Sequence, residues 1–176
     1  MLKGKNILLR ALEPSDVDLL YQWENTSELW HLSNTITPFS RFVLEQYIMD
    51  SHQDIFTSKQ LRLMIDKKNH GILITIGTID LFDFDPVNKR AGIGVMIVRE
   101  EQRQGYAAEA LQMLINYCFN TLNLHQVYCN IIADNLASMN LFKKAGFEVA
   151  GIKKEWILAS NKWMDEYTLQ LINIAD

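Results

Sequence analysis

The 176-residue sequence predicts an α+β fold, a mixed and mostly antiparallel central sheet of about seven strands with about four helices packed on it. Three observations carry this expectation. Between residues 61 and 98 apolar runs are separated by Lys68-Asn69-His70-Gly71 and Asp85-Pro86-Val87-Asn88, which is the turn chemistry of an antiparallel meander. From residue 105 the apolar spacing switches to 3.6, the period of an amphipathic helix. The order that follows is helix, strand, helix, hairpin, without the strict alternation of a doubly wound sheet.

Residues 7–12 form an apolar strand closed by Glu13-Pro14-Ser15-Asp16, where proline suits a first helical turn and the acids complement the helix dipole. The helix carries Val17, Leu20, Tyr21 and Trp23 to about Glu24. Residues 25–39, with Trp30 and His31, are polar and irregular, and read as the wall of a binding site. A second helix spans 40–50, with Phe42, Val43, Tyr47 and Ile48 at helical spacing. Leu61, Leu63 and Ile65 alternate with Arg62, Met64 and Asp66 in the first meander strand. Residues 72–84 and 90–98 supply the other two, with Ile93, Val95 and Ile97 on one side. The helix over 105–121 lines up Ala108, Leu111, Leu114, Ile115, Cys118 and Phe119. Residues 127–133 form a buried strand, and Asp134-Asn135 caps a helix over 138–145 that Gly146 stops. Two strands, 147–158 and 162–172, then close a hairpin.

The length fits one domain over residues 1–176, enough chain to bury about 70% of its unfolded surface. With 48% apolar and 22% charged residues, 3 Pro and 8 Gly, the composition excludes disordered and collagen-like classes. Seventeen Lys plus Arg against 21 Asp plus Glu give a net charge of -4 with no basic tail, so neither a nucleic-acid nor a membrane partner is expected. Cys118 and Cys129 lie in apolar segments without C-x-x-C spacing, which argues against a disulfide scaffold or a metal site and for a reducing compartment. No apolar run approaches the length of a membrane span, and the amino terminus reads as a strand rather than a signal sequence. A cytoplasmic protein is expected.

Chemistry concentrates in Ile93-Gly-Val-Met-Ile-Val-Arg-Glu-Glu-Gln-Arg-Gln-Gly-Tyr-Ala-Ala-Glu-Ala110, a strand, a polar loop, a glycine and a helix. Free N–H groups at a helix start, with the dipole behind them, attract anions, and Gly105 with Ala107 lets a phosphate approach the backbone. Neither a P-loop nor a dinucleotide fingerprint is present. Tight packing of the helix start on its strand would explain Gly105 as well.

The pattern Gln102-x-x-Gly105-x-Ala107 resembles the pyrophosphate loop of the GNAT superfamily of acetyl-CoA-dependent N-acetyltransferases. Asn123-Leu-His-Gln-Val-Tyr-Cys-Asn-Ile-Ile-Ala-Asp-Asn135 and Ser138-Met-Asn-Leu-Phe-Lys-Lys-Ala-Gly-Phe147 resemble the strand and helix that follow in that superfamily. Ile7-Leu-Leu-Arg-Ala-Leu-Glu-Pro-Ser-Asp16 and Leu20-Tyr-Gln-Trp-Glu24 resemble the opening of its ribosomal-protein-N-terminus and spermidine acetyltransferase branch. The resemblance covers nearly the whole chain. It implies a GNAT-like acyl-CoA N-acyltransferase fold and acetyl-CoA as donor. It also implies direct attack by a primary amine through a tetrahedral intermediate, the acceptor being a polyamine or other small-molecule amine or a peptide N-terminus. It leaves room for a homo-oligomer.

Carried over residue by residue, the resemblance implies that the backbone of Val95, Met96 and Ile97 pairs with the pantetheine arm like an added strand. This requires residues 93–97 to splay away from the strand at 127–133. Gln102, Arg103, Gln104, Gly105, Tyr106, Ala107 and Ala108 would cradle the pyrophosphate, Asn135 would bond the pantetheine, and Ser138, Phe142 and Lys144 would flank it. The Met96 and Ile97 amides are candidates to hold the oxyanion. Many relatives place a tyrosine general acid where this chain has Phe142, which has no proton to give. Ser138 occupies the position of a serine in ribosomal-protein members and is the candidate general acid. A glutamate of polyamine-acetylating relatives is replaced by Gly92, leaving Asp80, Asp83, Asp85 and Glu28 without a motif to choose among them, and a water relay to bulk as the expected route. Trp30, His31 and Phe82 are the substrate-wall candidates. The missing acid and base also admit a rival reading, a CoA-binding module whose catalysis has lapsed.

Overall fold

The structure is a computed structural model that describes residues 1–33, 35–159 and 161–174. Its chain order is β1 (Leu2–Lys3), β2 (Ile7–Arg10), α1 (Val17–Glu24), α2 (Trp30–Ser33), α3 (Arg41–Asp50), α4 (Ile55–Ser58), β3 (Leu61–Asn69), β4 (Ile72–Asp85) and β5 (Arg90–Ile97). Then come α5 (Tyr106–Asn120), β6 (Gln126–Ile132), α6 (Leu136–Lys144), β7 (Glu148–Ala159) and β8 (Lys162–Ile172). Among the described residues the strands form one eight-stranded sheet in the order β1-β2-β3-β4-β5-β6-β8-β7. Every neighbouring pair is antiparallel except β5 and β6, which α5 joins as a parallel crossover.

The mixed sheet matches the expectation with one more strand, because Leu2–Lys3 adds an edge too short to show a period. Residues 25–39, expected to be irregular, hold a 3-10 turn at Ser27–Leu29 and the single-turn α2. The equally short α4 also arose unannounced, started by Asp54, whose carboxylate accepts the Phe56 and Thr57 N–H groups. A helix of four residues is too short to show a period, and α4 is marked instead by its Asp54 cap.

Strand alternation splits the apolar residues between two layers. Ile7, Leu9, Ile65, Ile79, Leu81 and Ile93 pack with Leu111, Leu114 and Cys118 of α5 and with Val127 and Cys129 of β6. On the other face Met64 meets Leu20 of α1 and Leu44 and Ile48 of α3. In α5 it is Ala110 that joins the buried stripe, while Ala108 stays exposed in the first turn. Burial pushes the thiols of Cys118 and Cys129 up to about 12, so neither is a nucleophile at neutral pH.

α6 ends in a two-bond Schellman cap. Gly146, at φ 95°, donates to the Lys143 carbonyl over 3.1 Å, and Phe147 donates to the Phe142 carbonyl over 3.1 Å. The apolar contact that accompanies such caps is here the edge-to-face pair of Phe142 and Phe147, with centroids 5.0 Å apart.

One buried ion cluster fixes α1 to the sheet. Arg10 donates to both oxygens of Asp16 at 2.7 and 2.8 Å, to Asp66 at 2.8 Å and to the Thr75 hydroxyl at 3.1 Å. Both carboxylates are 3% exposed. Burial pushes the Asp16 carboxyl up, but the Arg10 hydrogen bonds and the Glu13 N–H outweigh it and hold the group below its ordinary value. Its stabilising contribution is therefore complete at neutral pH and disappears as the pH falls through the folded-state value. Arg10→Met leaves two buried carboxylates unpaired, so urea unfolding should show a loss of about 3–5 kcal/mol at pH 7. The deficit should narrow below about pH 4, where the carboxyls take up protons.

Candidate active site

The parallel ladder between β5 and β6 is three residue pairs long: Arg90 with Gln126, Ala91 with Val127 and Gly92 with Tyr128. Beyond Gly92 each strand keeps only its outer neighbour. β5 remains paired with β4 as far as Ile97, opposite Gly77, and β6 remains paired with β8 as far as Ile132, opposite Glu166. Residues 93–97 therefore line one side of a fork whose other side is residues 129–132. The splay that the sequence reading required is present. Gly77 sets the β4–β5 spacing here, since a Cβ at that position would fall 2.0 Å from the Met96 carbonyl oxygen.

Past β5 the chain makes a 3-10 turn at Arg99–Glu101, and the Gln102 side chain donates back to the Ile97 carbonyl over 2.9 Å. Arg103 at φ 61° and Gly105 at φ 88° then swing the backbone into α5. A Cβ built on Gly105 meets nothing within 4 Å. Packing thus does not account for this glycine; its left-handed conformation and the open space beside it do. Among the described residues no side chain caps the 15-residue α5, so its first-turn N–H groups and positive dipole end face that space. Two of the acids nearby are already engaged. Glu101 pairs with Lys67, and Glu109 accepts the Asn6 backbone N–H at 2.8 Å and the Asn6 side-chain amide at 2.9 Å. Of the acids flanking the loop, Glu100 remains exposed in the 3-10 turn, beside the basic Arg99 and Arg103 of the same segment.

Across the fork, Asn135 caps α6. Its Oδ1 accepts the Ser138 N–H at 3.1 Å, which leaves its amide nitrogen to donate elsewhere. Ser138 is half-buried in the first turn, and Lys143 and Lys144 are exposed in the last. The Phe142 ring is 2% exposed and committed to the contact with Phe147.

On the α1/α3 face of the fork, the Phe82 ring lies over Gly92 and Gly94. A Cβ on Gly92 would sit 2.1 Å from Phe82 Cε2, and one on Gly94 would sit 3.9 Å from Cε1. Close backbone approach of the Phe82 ring therefore explains Gly92. Phe82 also meets Tyr128 edge-on, with centroids 5.7 Å apart. A β-bulge follows in β4: Phe82 pairs with Gly92 and Asp85 with Arg90, so Asp83 and Phe84 together oppose Ala91. Asp83 takes φ 50°, and its Oδ2 accepts the Tyr128 hydroxyl proton at 3.0 Å. Beside the pair opens a cavity of about 500 Å³ lined by Asp83, Asp85, Arg90, Gln126, Tyr128 and Gln170.

The four substitute carboxylates now differ. Asp80 accepts Arg62 Nε at 2.6 Å, and the same guanidinium reaches Glu24 at 2.5 Å and lies over the Tyr47 ring. Burial pushes the Asp80 carboxyl up, against the pull of Arg62. Asp85 serves its turn, accepting the Val87 and Asn88 N–H groups and the Asn88 amide, with Arg90 alongside. The Asn88 hydrogen bonds hold it below its ordinary range. Glu28 is exposed in the 3-10 turn before α2. Trp30 and His31 lie on α2, which rests against β7, and the Trp30 ring N–H donates to the Glu24 carbonyl at 2.8 Å. Phe82 belongs instead to the floor of the fork. Among the described residues no three His, Cys, Asp or Glu side chains gather as metal ligands, and no helix is long and apolar enough to cross a membrane.

The sequence reading passed over Gly77, the Glu24–Arg62–Asp80 chain and Tyr128. Gly77 was detectable as a glycine inside a strand. Tyr128 was detectable as the aromatic member of the polar row Gln126, Tyr128, Asn130, which alternates with buried Val127, Cys129 and Ile131.

Comparison with known proteins bears on this geometry. Residues 6–148 match the family model of the acetyltransferase (GNAT) domain. A probable N-acetyltransferase, YjcK of Bacillus subtilis (strain 168), is 29% identical and aligns over 100% of this chain and 99% of its own. The spermidine N(1)-acetyltransferase of Vibrio cholerae serotype O1 is 22% identical over 92% of this chain and 90% of its own. The crystal structure of spermidine N-acetyltransferase from Vibrio cholerae in complex with CoA and spermine superposes with a TM-score of 0.85, covering 95% of each chain at 21% identity, a likeness of fold. The forked sheet, the uncapped helix start and the family match agree: the chain belongs to the GNAT acetyltransferases, enzymes that move the acetyl group of acetyl-CoA to an amine.

Proposed function

We propose that this acetyltransferase acts on a small cationic amine of the polyamine class, and that the fork between β5 and β6 is where donor and acceptor meet. The observation that carries the reading is the ladder ending at Gly92 and Tyr128, on the strand that leads through residues 93–105 to the uncapped start of α5. The donor site would be formed by the backbone of Val95, Met96 and Ile97, the loop from Gln102 to Ala108, the α6 cap Asn135, and Ser138 and Lys144 of α6, whereas the buried Phe142 ring is committed to the core rather than to the donor. Acetyl-CoA bound there supplies an activated thioester carbonyl.

The remaining chemistry falls to the chain. N–H groups along a strand point alternately to its two sides, so one of Met96 and Ile97 presents an amide to the gap as an oxyanion donor. Ser138, at the α6 start, is the hydroxyl available to protonate the departing thiolate, which Phe142 cannot do. The acceptor class is supported by the spermidine acetyltransferases among the relatives and by the cavity beside Tyr128, where Asp83 and Asp85 outnumber Arg90. A peptide N-terminus is the second reading, favoured by Ser138 at the position that resembles ribosomal-protein members. Trp30 and His31 would contact the acceptor from α2 and Phe82 from the sheet. We further read residues 1–176 as one domain, working in the cytoplasm where its donor is made, and self-associating as the Vibrio cholerae enzyme does in a dodecameric structure.

An acceptor screen that detects released thiol, with spermidine, N-terminal peptides and aminoglycosides side by side, tests the reading. Turnover should be highest with spermidine-like amines. Thermal stabilisation by acetyl-CoA without turnover of any acceptor would instead identify a lapsed binding module. Gly105→Asp should weaken acetyl-CoA binding at least about tenfold, by placing a negative charge in the open space at the α5 start. Gly105→Asn, which tolerates left-handed φ and adds no charge, should lose much less. Ser138→Ala should lower kcat by more than it raises the KM for acetyl-CoA, measured under saturating acceptor.

A further inference from the structure

An amine that attacks a thioester becomes an ammonium in the tetrahedral intermediate and must then lose a proton. The group that takes it has to stand at the fork on the face open to the acceptor. Among the carboxylates surveyed, Asp80 is locked to Arg62, Asp85 to its own turn, and Glu28 lies on the segment before α2. Tyr128 remains. It is the last β6 residue paired with β5, so its side chain stands where the strands part.

We infer that Tyr128 and Asp83 form the proton-accepting pair of the reaction, with the Tyr128 hydroxyl touching the attacking nitrogen and Asp83 carrying the proton to solvent. The inference rests on the acetyl-transfer reading above and assigns one step within it.

Three features of the structure support the pair. The bulge exists only because β4 holds one residue more than β5 at this point, and Asp83, at φ 50°, is the residue it turns toward Tyr128. Regular alternation would have placed Asp83 opposite to Phe82; instead Phe84 takes the core position, 4% exposed, and Asp83 reaches the hydroxyl at 3.0 Å. The Phe82 ring, filling the space over Gly92, supports the Tyr128 ring from the side. Asp83 itself is exposed on the 500 Å³ cavity, where water can collect what it is given.

Desolvation and the neighbouring Asp83 push the Tyr128 phenol up to about 12, so it keeps its proton at neutral pH and works as a relay. As the N–C bond forms and the C–S bond breaks, the ammonium proton moves to Oη while the phenol proton moves to Oδ2 of Asp83 and then to water. The C–S electron pair leaves with the thiolate, which is protonated separately.

Tyr128→Phe keeps the ring against Phe82, and Asp83→Asn suits a left-handed φ, so both variants should fold. Each is compared with the wild-type full chain for acetyl-CoA affinity and for kcat and KM of the best acceptor from pH 6 to 10. The expected result is a kcat loss of about tenfold or more at neutral pH, with acetyl-CoA affinity within about twofold. The loss should shrink as rising pH makes free hydroxide and base abundant, and the double variant should be no worse than the more damaged single one. A wild-type rate in Tyr128→Phe, or a deficit of equal size at every pH, overturns the pair while leaving acetyl transfer intact. A wild-type protein that binds acetyl-CoA but acetylates no amine overturns both.

Discussion

Everything in this fold depends on a sheet that is joined at its middle by only three residue pairs. β1 to β5 form one antiparallel block and β6 to β8 another, and between them run the pairs from Arg90–Gln126 to Gly92–Tyr128. Two parallel neighbours would ordinarily continue their ladder, since unpaired backbone groups are costly when buried. Here each strand is straightened by its outer antiparallel neighbour, and α5, packed on β2, β4, β5 and β6, holds the blocks together from one face. The cost of the opened ladder is carried by a core that is complete without it.

The fork has two electrostatic ends. Where β5 passes into α5, the backbone provides positive potential without a lysine of its own, and two of the acids nearby, Glu101 and Glu109, are paired with Lys67 or bound to Asn6. At the closed end the carboxylates of Asp83 and Asp85 line an open hollow with one arginine among them. Phosphate at one end and an ammonium at the other suit this polarity, and the overall charge of -4 does not express it. A composition can exclude a nucleic-acid binder without showing how charge is divided along the sheet.

Close packing and close approach account for the residues that depart from the family pattern. Phe142 does not simply lack a hydroxyl; it closes the cap of α6 against Phe147, so its ring faces the core. Gly92 does not simply lack a carboxylate; Phe82 occupies the volume a side chain would need. The proton-handling groups we propose therefore stand in different places, Ser138 on one side of the fork and the Tyr128–Asp83 pair on the other.

The sequence by itself determined the meander, the α5 stripe, the Asn135 and Gly146 caps and the helix-start glycine, because periodicity and capping act over a few neighbouring residues. It also located the strand that must splay, through the motif following it. What it left open was decided between residues 10 to 38 positions apart: the pairing that stops at Tyr128, Gly77 beneath Met96, Phe82 above Gly92, and Arg62 reaching both Glu24 and Asp80. The bulge at Asp83 has no periodic signature, since one extra residue in a strand is visible only against the strand it faces. Local pattern assigns each side chain to a face, and only the register between strands decides which side chains on that face meet.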